Sequence, residues 1–326
     1  MHRQRIVSAR PEPAAAPVPC AHPHSPACEV PPVSGIQRLL RPLHALLAAL
    51  ALVLTAGAVA PAATAAPAAE RTVGSGWNDY SCKPSSAHPR PVVLVHGTLG
   101  NSVDNWLGLA PYLVNRGYCV FSLDYGKLPG VPMFHGLGPI DKGAEELSVY
   151  VDKVREATGV DKVDLVGHSQ GGAMPRYYLN FLGGADKVNS LTGLVPSSHG
   201  TTVHGLTKLM DSIPGARKAL GGFAPGLTDQ ALGSDYLKKL NSVPDTVPGV
   251  RYTVIATKYD EIVSPYQSAF LSGPNVRNVL LQDLCKVDLS GHFATGMTDR
   301  IAFHEVANAL DPANAKPTTC ASAVIG

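Results

Sequence analysis

Five residues of this 326-residue chain have the types and spacing of a nucleophile site: Gly167-His168-Ser169-Gln170-Gly171. This G-x-S-x-G pattern follows the apolar run Val163–Val166 and precedes a stretch that reads as a helix to about Phe181. A serine on a sharp strand-to-helix turn has strained backbone, and its neighbours come too close for side chains, so glycines flank it. Gly172 gives further room where the helix packs on the sheet. The free N–H groups at the helix start then face negative charge developing beside Ser169. A dinucleotide-binding turn does not fit, because the spacing is not G-x-G-x-x-G. A glycine-rich turn without chemistry is the plain alternative.

Such a serine needs a base, an acid to orient the base, and donors for an oxyanion. On a turn of this kind the acid and the histidine follow the serine in that order. Asp260, in Thr257-Lys258-Tyr259-Asp260-Glu261, comes just after an apolar run at Arg251–Ala256 and is the expected acid. Glu261 is expected to point elsewhere, and Asp283 and Asp288 come later in the chain as weaker candidates. His292 lies in a loop between the last apolar run and the last helix, and is the expected base. His304 falls inside that helix as a packing or surface residue. His199 and His204 precede Asp260, break the order, and are left as possible lining of the site. The oxyanion donors are the backbone N–H of Gln170 and that of Thr98, in the loop Val95-His96-Gly97-Thr98.

The elements that must position these residues alternate. Strands are expected at Pro91–Val95, Tyr118–Leu123, Val163–Val166, Leu191–Val195, Arg251–Ala256 and Val276–Leu281. Helices are expected over 104–116, Pro139–Thr158, 170–181 and 298–309. In the second of these, Ala144, Leu147, Val151 and Val154 recur at helical spacing. The alternation implies a mostly parallel sheet of about six strands with helices on both faces. No repeat or second core is visible, so residues 67–326 read as one catalytic domain. Residues 126–138 and the excursion 199–248 are its walls or cover. Leu206, Leu209, Met210, Ile213, Leu220, Phe223, Leu227 and Leu232 could line a groove there, or simply pack the excursion on the core.

Composition narrows the function classes. Apolar residues make up 45% and charged residues 16%, as in a domain with a large core. Five of the 27 Lys/Arg and two of the 25 Asp/Glu precede Pro67, so the remainder is near neutral and gives no electrostatic case for nucleic acid. Residues 36–66 read as a signal peptide: Arg38 and Arg41, an apolar run from Leu43 to Ala60, then Ala60-Pro61-Ala62 and Ala63-Thr64-Ala65 as cleavage candidates. An uncleaved membrane anchor is the alternative. Residues 1–35 read as a disordered Pro/Ala-rich extension, which a start near Val30 or Val33 would leave out. Cys20, His22, His24 and Cys28 within it match no zinc spacing. Four later cysteines in an exported chain imply two disulfides. Cys82–Cys119 and Cys285–Cys320 are favoured, since each ties a terminal segment to a neighbouring core element; free buried thiols are the alternative.

With these residues in place, the chain resembles the secreted bacterial class 2 lipases, especially those of actinobacteria. The resemblance rests on Val93-Leu94-Val95-His96-Gly97-Thr98, Gly117-Tyr118-Cys119-Val120-Phe121, Val163-Asp164-Leu165-Val166-Gly167-His168-Ser169-Gln170-Gly171-Gly172 and Lys258-Tyr259-Asp260, and covers roughly residues 75–320. It implies the α/β-hydrolase fold, hydrolysis of carboxylic esters (often triacylglycerols) by a secreted enzyme, and no cofactor. It also implies a triad of Ser169, Asp260 and His292, with Thr98 and Gln170 as oxyanion donors. The protein is expected to act as a monomer that meets a lipid–water interface transiently. Some related lipases carry calcium near the catalytic histidine, but no acidic ligand set stands out here. A short-chain esterase, an acyltransferase and a non-catalytic binding protein are the rival readings.

Overall fold

Val92, Val93, Leu94 and Val95 are fully buried, and successive residues point into two different apolar cores. A strand apolar on every residue belongs in the middle of a sheet covered on both faces. The computed structural model describes residues 76–212, 214 and 224–322. The expected extension, the signal peptide, Cys20, His22, His24 and Cys28 lie outside that range, as do Ile213, Leu220 and Phe223.

Six strands form one sheet: β1 (Val92–Val95), β2 (Val120–Leu123), β3 (Val163–His168), β4 (Val188–Leu194), β5 (Arg251–Ala256) and β6 (Val276–Leu280). Their order is β2-β1-β3-β4-β5-β6, and every neighbouring pair is parallel. Parallel pairing puts the strand C-termini, and the loops after them, at one end. The helices are α1 (Leu109–Val114), α2 (Ile140–Thr158), α3 (Gln170–Ala173), α4 (Pro175–Phe181), α5 (Val203–Ser212), α6 (Asp235–Leu240), α7 (His292–Met297) and α8 (Arg300–Leu310), with single turns between some of them.

One core joins Val93, Val95, Phe121 and Leu165 to Leu147, Val151 and Val154 of α2. The other joins Val92, Leu94, Val120 and Val166 to Leu109 and Leu113 of α1 and to Phe303 and Val306 of α8. Helix α2 ends at Gly159, whose φ of 74° suits a residue without Cβ. Its first turn lacks a capping side chain of its own; Asp229, 89 residues on, accepts the Ile140 N–H at 3.0 Å.

Several boundaries differ from the sequence reading. The expected helix over 104–116 is a 3-10 turn at Asp104–Trp106 followed by α1. Gly108 interrupts it where the chain lies against the C-terminus of α7: a Cβ there would stand 2.3 Å from the Met297 carbonyl oxygen. Strand β4 starts earlier than expected, because Asn189 and Ser190 hydrogen-bond the Asp164 carboxylate (2.6 and 2.5 Å) instead of water. Helix α7 was not expected at all.

The disulfides are Cys82–Cys119 and Cys285–Cys320, the favoured pairing. They bridge sequence separations of 37 and 35 residues, and loops of this size are worth about 2–4 kcal/mol each. Among the described residues, no helix is long and apolar enough to cross a membrane; Leu43–Ala60 lies outside them.

Candidate active site

Strand β3 runs into Ser169, which turns the chain with φ 54° and ψ −123°. A non-glycine residue at positive φ is strained by on the order of 1–3 kcal/mol and has to be held there by its surroundings. Here the holding is backbone on backbone. The Ser169 N–H donates to the Leu194 carbonyl at 2.9 Å, and the Ser169 carbonyl accepts the Gly172 N–H at 2.9 Å. A Cβ on Gly167 would lie 1.9 Å from the Gly171 oxygen, and one on Gly171 would lie 2.1 Å from the Val95 oxygen. No L side chain fits either place.

Asp260 sits in the turn after β5. Its Oδ1 accepts the N–H groups of Ile262 (2.9 Å) and Val263 (2.7 Å), which fixes the carboxylate. Both carboxylate oxygens stand 3.0 Å from Nδ1 of His292. A carboxylate only accepts, so Nδ1 carries the proton, and in the neutral ring Nε2 keeps its lone pair. That Nε2 is buried and has no hydrogen-bond partner among the described residues. Glu261 does not simply point away: its Oε2 accepts the His292 backbone N–H at 3.1 Å. Thr257 and Gln282 hold the loop before His292, through Thr257 Oγ1 to the Ser290 oxygen (2.7 Å) and Gln282 Nε2 to the Asp288 oxygen (3.2 Å).

His168 brings His292 and the elbow together. Its Nδ1 is 3.0 Å from Asn105 Oδ1, its Nε2 is 3.3 Å from the His292 carbonyl oxygen, and the two rings lie 5.1 Å apart. Burial, with the His292 ring beside it, holds the His168 imidazole well below the ordinary histidine range.

The loop after β1 approaches from the other side. A Cβ on Gly97 would stand 3.1 Å from the Ser169 Cβ, and the Gly97 N–H donates to Asn105 Oδ1 at 2.9 Å. Thr98 Oγ1 accepts from Gln170 Nε2 (3.0 Å) and Gln230 Nε2 (2.8 Å). Gln170 also donates to the Gly136 and Gly226 carbonyls, while its Oε1 accepts from the Tyr125 hydroxyl at 2.9 Å. A buried polar network therefore joins the Thr98 loop, the elbow, the glycine-rich segment and the excursion. Gln230, Asn105 and Tyr125 escaped sequence reading, since nothing in their local spacing marks them; His168 was read only as a member of the elbow motif, and Glu261, expected to point elsewhere, meets the His292 N–H.

The remaining candidates disperse. His199 bonds the Ser268 carbonyl and Asp245, each at 3.0 Å, and so anchors the excursion. His204 is exposed on α5, and Asp283 is exposed. His304, in α8, meets Thr318 Oγ1 at 2.7 Å. Asp288 and Asp299 are both buried. Burial, with the charge of Asp288 beside it, pushes the Asp299 carboxyl up to about 6. Leu209 packs with Leu99, Leu137, Ala224 and Ile262 in a third apolar cluster, flanked by Met210, Leu227 and by Phe293 next to His292. Leu206 is half-buried, and Leu232 is 55% exposed.

A family profile described as Lipase (class 2) matches residues 89–298. A triacylglycerol lipase of Burkholderia plantarii is 37% identical over 134 residues, 40% of this chain and 33% of that protein. A triacylglycerol lipase of Pseudarthrobacter phenanthrenivorans is 42% identical over 92 residues, 27% of each. The chain thus spans a third or less of these curated relatives. Among solved structures, Aspergillus fumigatus lipase B matches 70% of this chain and 53% of its own, with TM-score 0.56 and 21% identity, a likeness of fold.

Proposed function

The chain belongs to the class 2 lipase family, and from that premise we propose that it is a secreted serine hydrolase that cleaves carboxylic esters of lipids. The observation that carries the reading is the 3.0 Å pairing of Asp260 with His292 Nδ1, which leaves a buried, unpartnered Nε2 on a residue whose carbonyl meets His168, the neighbour of the strained Ser169.

In this reading Ser169 Oγ attacks the ester carbonyl and passes its proton to His292 Nε2. Asp260 holds the ring and stabilises the imidazolium. The N–H groups of Gln170 and Thr98 take the oxyanion; losing one such donor raises a barrier by about 2.7–4 kcal/mol. His292 then protonates the departing alcohol, and water, deprotonated by the same ring, resolves the acyl-enzyme. The third apolar cluster beside Phe293 supports an acyl chain as the group received. Two disulfides and the leader-like residues 36–66 support export. The protein would work as a monomer in passing contact with a lipid–water interface.

A fluorophosphonate probe tests the serine: wild type is labelled and Ser169→Ala is not. Equal labelling of both would refute the assignment. Hydrolysis of an ester series from tributyrin to triolein then reads the acyl length, with turnover confined to the short esters pointing to a carboxylesterase.

A further inference from the structure

His96, Asp124 and His135 come from three different places in the chain. His96 follows β1, Asp124 follows β2, and His135 lies in the glycine-rich segment before α2. Their ligand-type atoms all lie within 4.8 Å of one another. None of the three has a part in the proposed ester chemistry.

Each side chain is set up as a metal ligand. His96 is fully buried, and its Nδ1 stands 2.8 Å from the Gly97 carbonyl oxygen. A carbonyl only accepts, so Nδ1 carries the proton and the lone pair is on Nε2, which meets the Tyr125 N–H at a long 3.4 Å that an ion would replace. Metal-binding imidazoles are oriented in this way, with the second nitrogen donating to a carbonyl or carboxylate. The His96 ring is further fixed by stacking on Tyr125, with centroids 4.4 Å apart. The Asp124 carboxylate is held through Oδ1 by the Ser102 N–H at 2.7 Å. His135 is the telling member. Its side chain is 9% exposed and its Nδ1 lies 3.2 Å from Asp124 Oδ1, yet that nitrogen makes no hydrogen bond. A buried imidazole nitrogen at ion-pair distance from a carboxylate, but without hydrogen-bond geometry towards it, is the arrangement two ligands of one ion would have.

We propose that His96 Nε2, His135 Nδ1 and the Asp124 carboxylate bind one divalent transition-metal ion of the zinc type. Zinc bonds of about 2.0–2.1 Å in a tetrahedron place neighbouring ligand atoms about 3.3 Å apart. The 3.2 Å between His135 and Asp124 already matches this, and His96 has to close by about 1.5 Å at most. Two imidazoles and one carboxylate suit zinc, whereas calcium takes six or more oxygens. Lys127 Nζ, 3.6 Å from Asp124 Oδ2 on a side chain 60% exposed, is the cation that the metal displaces. The fourth position falls to water.

The ion would act as a clamp. The His135 carbonyl accepts the Leu99 N–H (2.8 Å) and its N–H donates to the Gly100 carbonyl (3.1 Å), so His135 is already tied to the residues next to Thr98. A metal held at the same point fixes that loop and the wall segment 126–138 to the ends of β1 and β2.

Equilibrium dialysis of the full chain against Zn²⁺, with Co²⁺ as an optical probe, tests this without substrate, so the result is independent of whether Ser169 is a nucleophile. Wild type is expected to take up one equivalent more than Asp124→Asn or His135→Asn, with binding at this site weakened at least about 100-fold in each. The cobalt form is expected to show the visible bands of a four-coordinate ion, and zinc to raise the Tm of wild type alone. Circular dichroism identifies any variant that fails to fold, in which case the other is read. Equal uptake by wild type and a folded variant would put the metal elsewhere in the chain and overturn the proposal. Uptake of Ca²⁺ but not of Zn²⁺ would also overturn it.

Discussion

At Gly167 and Gly171 the elbow is held by backbone pressed against backbone, so close that a Cβ would overlap a carbonyl oxygen. The described residues of 199–248 are held largely by side chains reaching across long stretches of sequence, with Gly205, pressed on the Ile262 carbonyl, as an exception. Gln230 grips Thr98, Asp229 caps α2, and buried Arg176 reaches Asp245 and the Ser198 and Asp245 carbonyls. The first kind of restraint admits one residue type per position and tolerates nothing else. The second is a set of separable polar contacts, each of which can be removed singly. A wall built this way can change shape without disturbing the turn beside it.

The largest effect expected from this contrast is at the elbow. Gly171→Ala should cost more than about 4 kcal/mol and yield no folded protein, because the intruding atom meets the Val95 and His96 carbonyls and neither can move without β1. A soluble variant with the wild-type denaturant midpoint would break the comparison. Arg176→Met comes next. It strips a fully buried guanidinium from Asp245, and should cost about 3 kcal/mol in chemical unfolding while leaving the elbow assembled.

Gln230→Leu should cost about 2 kcal/mol, by leaving the buried Ser197 hydroxyl without its acceptor and Thr98 Oγ1 and the Gly226 carbonyl with Gln170 alone. Amide exchange should speed up at residues 224–232 and stay slow at 163–173. Equal acceleration in both would mean that the two regions open together. The smallest effect is one of pH. His168 is held below the usual 6.5, so its contribution is present above that value and is lost as the pH falls beneath it. The Asp245 carboxyl is lowered from 3.8, burial opposing and His199 with other partners winning, so its contribution is lost only below 3.8. Acid should therefore loosen the elbow side as the pH falls below 6.5, before the excursion, which holds until below 3.8, as read by exchange in the two peptides.

The same contrast decides what could be read from sequence. Strand β5 was legible to the residue, because Tyr252, Val254, Ile255 and Ala256 make a short, largely aromatic and β-branched stretch just after the breakers Pro248 and Gly249. Ser169 and Asp260 stand where local punctuation put them, between glycines and after β5; His292, expected in a loop, instead opens α7. Residues 104–116 looked like one helix because their own spacing is helical; the interruption at Gly108 comes from the end of α7, far along the chain. Gln230 meets Thr98 across 132 residues, and His168 meets Asn105 across 63. Polar partners that distant leave no period in a sequence, so the network behind the Thr98 loop could not be found without the fold.

His168 has a consequence of its own. It occupies the slot between Asn105, beside the loop after β1, and α7, where a Cβ on Gly296 would stand 2.1 Å from its ring. One side chain thus works as a common datum against which three separately supported parts are set. If the end of β3 drifts, the Gly97 loop and His292 drift with it, and the spacing among them is preserved. Errors in the scaffold become displacements of the whole assembly, and they do not accumulate between its members.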